Sequence, residues 1–167
     1  GVVHQDGQEG EAPALPAAPG WVHRHYDDSR SWFKEEADFP GPRTMTAATD
    51  WLATSADAHD RWLLFIDEFD PHEPYDTPAP WAGMYDPDWD DPLIIWPPYS
   101  TDTVANGVLT ERQARHVRAN YGSKLTMIHH WFGRLLDELY RQVPWDGTAG
   151  IVTTDHRHYL GEHDVFS

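Results

Sequence analysis

From Thr44 the chain places Met45, Ala48, Trp51 and Leu52 at helical spacing, which predicts a short helix. Trp62-Leu63-Leu64-Phe65-Ile66 follows as an unbroken apolar run of strand length, the pattern of a strand covered on both faces in a parallel sheet. Asp67 ends it. Residues 70 to 109 hold eight prolines, many aspartates and several aromatics, too irregular for helix and too broken for sheet. Unstructured connections of this length are uncommon inside a domain and usually functional, so this one reads as a folded excursion over an active site. Trp81, Tyr85, Trp89, Trp96 and Tyr99 within it need a surface to pack on.

Thr110 with Gln113 three residues on reads as a capping box. Val117, Tyr121, Leu125, Ile128, Phe132, Leu135 and Leu139 then fall on one face of a long helix over about 111–141, which Pro144 ends. Asp146-Gly147 marks a turn, and Gly150-Ile151-Val152-Thr153-Thr154 reads as a second buried strand. The order helix, strand, excursion, helix, strand implies an α/β fold, with 62–66 and 150–154 parallel in one sheet. Residues 1–20, rich in Gly, Pro, Ala and acid and without apolar periodicity, read as a flexible linker or loop.

Composition narrows the classes. The 167 residues carry 12 Lys and Arg against 28 Asp and Glu, a net charge of −16, which argues against nucleic acid or an anionic membrane as partner. No apolar run approaches the roughly 20 residues of a membrane helix. With no Cys there is neither a disulfide nor a thiolate ligand nor a cysteine nucleophile in the chain. Nine Trp and 40% hydrophobic residues support a folded core of one domain at most. Gly at position 1 points to a removed leader or to a piece of something longer, and localisation stays unassigned.

Both predicted strands run out into carboxylates and imidazoles: Asp67, Glu68, Asp70 and His72 after the first, and Asp155, His156, His158, Glu162 and His163 after the second. In open α/β sheets ligands bind beyond the carboxyl ends of strands. Asp67 and Glu68 are read as solvated or structural acids. Asp155-His156 offers an oxygen and a nitrogen to one divalent cation, oxygen suiting Ca²⁺ or Mg²⁺ and nitrogen pulling toward Mn²⁺ or Zn²⁺. Two ligands do not complete a site, and at least two further carboxylates would have to come from elsewhere. His72, between Pro71 and Pro74, is stiffened by the fixed proline φ angles and could bind a substrate anion or protonate a leaving oxygen. The competing reading is a turn histidine satisfied by neighbouring acids.

The strings WLLFIDEFDPHEPYD, VRANYGSKLTMIHHWFGRLLDELYR and WDGTAGIVTTDHRHYLGEH, spread in that order over residues 62 to 163, resemble the sulfatase family of the alkaline phosphatase superfamily. The resemblance implies a three-layer αβα sandwich with a mainly parallel sheet, incomplete in this chain, and hydrolysis of sulfate esters of small molecules or glycans at one divalent cation, commonly Ca²⁺. It makes Asp155 and His156 metal ligands and His72 the residue contacting the sulfate and the leaving-group oxygen. The family's nucleophile, a formylglycine made within Cys/Ser-x-Pro-x-Arg, is not in this sequence, so residues 21–167 are expected to be part of a catalytic domain, silent alone and weak for Ca²⁺. Arg157 and Asp164 stand where Gly is usual, and His129 where Asp is common. The other readings are a phosphatase, phosphodiesterase or phosphonate hydrolase of the same superfamily, and a non-catalytic interaction module. His72 and Asp155 are expected within roughly 10 Å of each other in one cleft.

Overall fold

The computed structural model describes residues 2–4, 33 and 35–167. Its regular elements are β1 (Val2–His4), α1 (Pro40–Ser55), β2 (Phe65–Asp67) and α2 (Glu111–Gln142), with short 3-10 turns between and after them. The first helix begins four residues before the apolar spacing predicts. Pro40 occupies its first turn, where the missing N–H would have no intrahelical acceptor, so a Pro-Gly-Pro string that looks like a helix breaker opens one instead.

β2 pairs in parallel with β1, in the register Val2 with Phe65, Val3 with Ile66 and His4 with Asp67. Residues 2–4 are therefore a strand and not part of a linker; the rest of the 1–20 segment lies outside the described residues. Among the described residues, Phe65–Asp67 is the part of the run that joins the ladder, and the run packs on one side. Trp62, Leu64 and Ile66 lie against Met45, Ala48 and Leu52 of α1 and Leu135 of α2, while Leu63 and Phe65 face outward. The expected two-sided cover is not found among the described residues.

Gly150–Thr154 forms no strand. Ile151 is 88% exposed and Val152 79%, and the segment pairs with no other strand among the described residues, so the expected partnership of 62–66 with 150–154 is not made. Apolar content alone misled here: a run of this kind becomes a strand only where a sheet edge is beside it to accept its backbone hydrogen bonds. What stands is an α/β arrangement, a two-stranded parallel sheet with α1 and α2 packed together against it. The third layer of a sandwich is not present among the described residues.

α2 opens on the capping box the sequence predicts. Gln113 N donates to Thr110 Oγ1 at 3.2 Å, and Thr110 N donates to Gln113 Oε1 at 2.8 Å. The helix runs unbroken past Gly122 and Gly133. At Gly122 the lack of a side chain admits the Tyr85 ring, since a Cβ would lie 3.2 Å from it. The buried face is rotated from the expected stripe. It runs through Val117, Asn120, Ser123, Lys124, Met127, Ile128 and Leu135, and Leu125 is 45% exposed.

The excursion is folded, as its aromatics require. Tyr75 and Leu109 pack with Ala114 and Val117 of α2 and with Phe166. Asp86 takes both guanidinium nitrogens of Arg112 at 2.6 Å and accepts from His116 Nδ1 at 2.9 Å. Trp89 stacks on the His116 ring at 3.7 Å. The end of the chain returns to the excursion, where Ser100 and Phe166 exchange backbone hydrogen bonds of 2.9 and 3.0 Å.

The rotated helix face has a measurable consequence. Met127→Ala should cost about 2–5 kcal/mol in chemical denaturation, as for a fully buried large side chain, whereas Leu125→Ala should cost less than about 1 kcal/mol. The opposite ranking would restore the stripe that the sequence spacing predicts.

Candidate functional site

The site begins with a buried lysine. Lys124 projects from α2 beneath the loop 70–76, where its Nζ donates to the carbonyls of Pro74 at 2.8 Å and His72 at 3.1 Å and pairs with Asp70 Oδ1 at 2.6 Å. Asp76 Oδ1 lies 4.0 Å away. All three lysine protons thus have acceptors near them, which a buried ammonium requires. The loop is tied again by its own turn, His72 N donating to Phe69 O at 3.1 Å. With its carbonyl held by Lys124, the His72 side chain is 27% exposed, and the Phe69 ring stacks on it at 4.4 Å.

Around that ring two further imidazoles gather. His158 lies 4.8 Å from His72 and His156 lies 6.1 Å from it, centroid to centroid, both edge-on. Glu73 lies beneath, with Oε2 3.0 Å from His72 Nδ1 and 3.7 Å from His158 Nδ1. Its other oxygen accepts the Tyr99 hydroxyl. Burial pushes the Glu73 carboxyl up, but its contacts with His72 and Tyr99 outweigh burial and hold it down at about 2. The same contact raises His72 above the ordinary imidazole value, against the opposing effect of burial. His158 goes the other way, because burial disfavours its charged form. Burial and Glu73 push the Tyr99 phenol up to about 12, so it stays a donor.

The two segments that the sequence expects to meet do meet, through His156 and His158. Asp155 stands at its edge, with Oδ2 3.8 Å from His156 Nε2. Its side chain is 88% exposed, and Oδ1 accepts from the backbone N–H of His156 at 2.8 Å. The strand that would have fixed it is not formed. Among the described residues, Asp155 and His156 belong to no cluster of three or more His, Cys, Asp or Glu ligand atoms. His72, Glu73 and His158 instead each offer one ligand atom, all within 4.8 Å of one another. Sequence reading passed over Glu73 and Lys124. Glu73 could have been found from its place inside Pro71-His72-Glu73-Pro74, and Lys124 from its place between Tyr121 and Ile128 on the apolar side of α2.

No family model and no solved structure matches the chain. Three curated proteins do, among them the following two. An arylsulfatase of Clostridium perfringens (strain 13 / Type A) is 26% identical over 147 residues, 83% of this chain and 30% of that protein. The multifunctional alkaline phosphatase superfamily protein PehA of Trinickia caryophylli is 26% identical over 127 residues, 62% of this chain and 25% of that protein. The chain is similar to the sulfatases of the alkaline phosphatase superfamily. It spans less than a third of the length of either relative.

Two departures from the sulfatase pattern have local explanations. Asp164 adopts φ 57°, the left-handed region where Gly is favoured, and its carboxylate accepts from the N–H groups of Val104 and Ala105 at 2.8 and 2.9 Å. Arg157 does not take a positive φ; its guanidinium lies over the Tyr159 ring at 4.6 Å and donates to the Tyr159 hydroxyl at 2.6 Å. His129 is exposed.

Glu68, read from the sequence as a solvated or structural acid, is structural. Burial raises its carboxyl from 4.5 to about 7, with the Asp70 charge adding to the rise and hydrogen bonds from Asp70 N and Thr44 opposing it. A carboxyl whose folded-state pKa lies above its unfolded value favours the fold while protonated, so stability falls as pH rises from about 4.5 through about 7. Between pH 5 and pH 8 the loss should be on the order of 2 kcal/mol. Glu68→Gln should abolish this slope in denaturation curves and be the more stable protein at pH 8. A slope unchanged by the substitution would place the titrating group elsewhere.

Proposed function

We propose that residues 21–167 are part of the catalytic domain of a sulfuric ester hydrolase, in which His72 serves the leaving-group oxygen of an aryl sulfate. The observation that carries this reading is the setting of His72: backbone held by Lys124, Nδ1 beside the ionised Glu73, ring half-buried among other imidazoles. With Nδ1 engaged by Glu73, Nε2 is the nitrogen left to reach a substrate. The raised pKa keeps more of the ring charged near neutrality, which suits a donor of positive charge and of a proton. The name of the clostridial relative supports an aryl sulfate as substrate.

As the ester S–O bond breaks, negative charge grows on the departing oxygen. A charged His72 aligned by Glu73 stabilises that oxygen electrostatically and then protonates it through Nε2. Glu73 gains a partner of opposite charge before the step and keeps the ring oriented after it. The nucleophile in this reading is a formylglycine supplied by a segment outside this chain. Asp155 and His156 act as two ligands of a divalent cation whose other ligands lie outside the described residues. A phosphatase, phosphodiesterase or phosphonate hydrolase is the second reading, favoured by the similarity to a multifunctional superfamily protein.

The test uses a protein that joins this chain to a formylglycine segment and a series of aryl sulfates of increasing leaving-group pKa. His72→Ala should depress kcat/KM about 10²- to 10⁴-fold for basic leaving groups and far less for activated ones. An equal loss across the series would remove His72 as the acid. Faster turnover of the matching aryl phosphates would favour the second reading, and robust turnover by the 167-residue chain alone would overturn the assignment of the nucleophile.

A further inference from the structure

We propose that His72, Glu73 and His158 form a binding site for a borderline transition-metal ion, Zn²⁺ in the first instance, separate from the Asp155-His156 pair, and that occupation of this site switches off the acid His72. Tetrahedral zinc holds nitrogen and oxygen ligands at about 2.0–2.1 Å, which sets ligand atoms about 3.3 Å apart. Glu73 Oε2 lies 3.0 Å from His72 Nδ1 and 3.7 Å from His158 Nδ1, bracketing that spacing. The widest separation in the trio is within 4.8 Å, a gap that small rotations of two imidazoles close.

The buried oxygen supplies an independent argument. Glu73 Oε2 is buried and accepts no well-aligned hydrogen bond, because His72 Nδ1, an ion-pair neighbour at 3.0 Å, also lies 3.1 Å from the Glu73 backbone carbonyl and is shared with it. An ionised carboxylate oxygen left so is costly, and a cation between it and the two imidazoles would satisfy it. The surrounding groups already hold the ligands in place. Tyr99 donates to the other Glu73 oxygen and Lys124 fixes the His72 carbonyl, the kind of outer contacts that orient metal ligands. Two nitrogens and one oxygen favour Zn²⁺ over Ca²⁺ or Mg²⁺. The fourth position is open to water.

Binding at His72 Nδ1 requires that nitrogen's proton to leave for solvent. What remains is a metal-bound neutral ring, whose Nε2–H is a far weaker acid than an imidazolium, so the leaving oxygen loses its proton donor. This consequence rests on the role of His72 proposed above; the site itself does not. A zinc titration involves no substrate and the leaving-group series involves no zinc, so the two readings fail separately.

The experiment is calorimetric titration of the 167-residue chain with Zn²⁺ at pH 7.5, with Co²⁺ as a visible-absorption probe. One Zn²⁺ should bind per chain, and Co²⁺ should give d–d bands of a low-coordinate site. His158→Ala and Glu73→Gln should each weaken Zn²⁺ at least tenfold and bleach the Co²⁺ bands, while Asp155→Asn should change affinity less than threefold. Millimolar Ca²⁺ should not displace the zinc. Absence of Zn²⁺ binding and of Co²⁺ bands in the unaltered chain would overturn the proposal without recourse to any variant. So would zinc that survives His158→Ala and is lost on Asp155→Asn.

Discussion

A buried ammonium must be surrounded by acceptors or the fold cannot hold it, and at Lys124 that requirement organises everything near the site. One helix residue gathers Asp70, the His72 carbonyl and the Pro74 carbonyl around a single nitrogen. Removing the lysine would leave the Asp70 carboxylate buried and unpaired, a defect in the range of 3–5 kcal/mol for buried ion pairs broken from one side, about as much as a large core truncation. The constraint also explains the turn of α2. Drawing Lys124 inward brings Ser123 and Met127 with it and leaves Leu125 at the surface, against the apolar spacing.

The same contact converts a proline-rich segment into a platform. Residues 70–109 have few neighbours in any ladder, so their order comes from side chains fastened to α2: Asp86 on Arg112 and His116, Trp89 on His116, Tyr85 on Thr126, and the loop 70–76 on Lys124. Each is a contact across many residues of sequence. Together they hold His72 facing the segment that carries His156 and His158.

Local grammar was legible in the sequence and long-range partnership was not. The capping box at Thr110, the length of the helix after it and the folded character of the excursion all follow from spacing and turn chemistry within a few residues. β1 was missed because a three-residue strand among Gly, Pro and acids carries no periodicity, and Gly150–Thr154 was over-read because an apolar run says nothing of whether an edge is there to pair with. At the site, His72 stood out through its flanking prolines. Glu73 and Lys124 did not, since one looked like an ordinary acid and the other like an ordinary surface base until the fold buried each beside its partners. Asp155, prominent as half of an Asp-His pair, lies exposed because the strand meant to anchor it is not made.

Charge, burial and placement therefore act as one device: Lys124 fixes the loop, Glu73 stays ionised under His72, and His158, kept toward its neutral form, closes the cluster. The central claim is that the lysine on α2 sets the meeting of two segments 86 residues apart, His72 and His158. Nuclear Overhauser contacts between the ring protons of these two histidines test it most directly. They should be present in the unaltered chain, whose ring centroids lie 4.8 Å apart, and should vanish in Lys124→Met while the amide pattern of α2 persists. Rings that show no contact in the unaltered chain, or contacts that survive the loss of the lysine, would contradict the account.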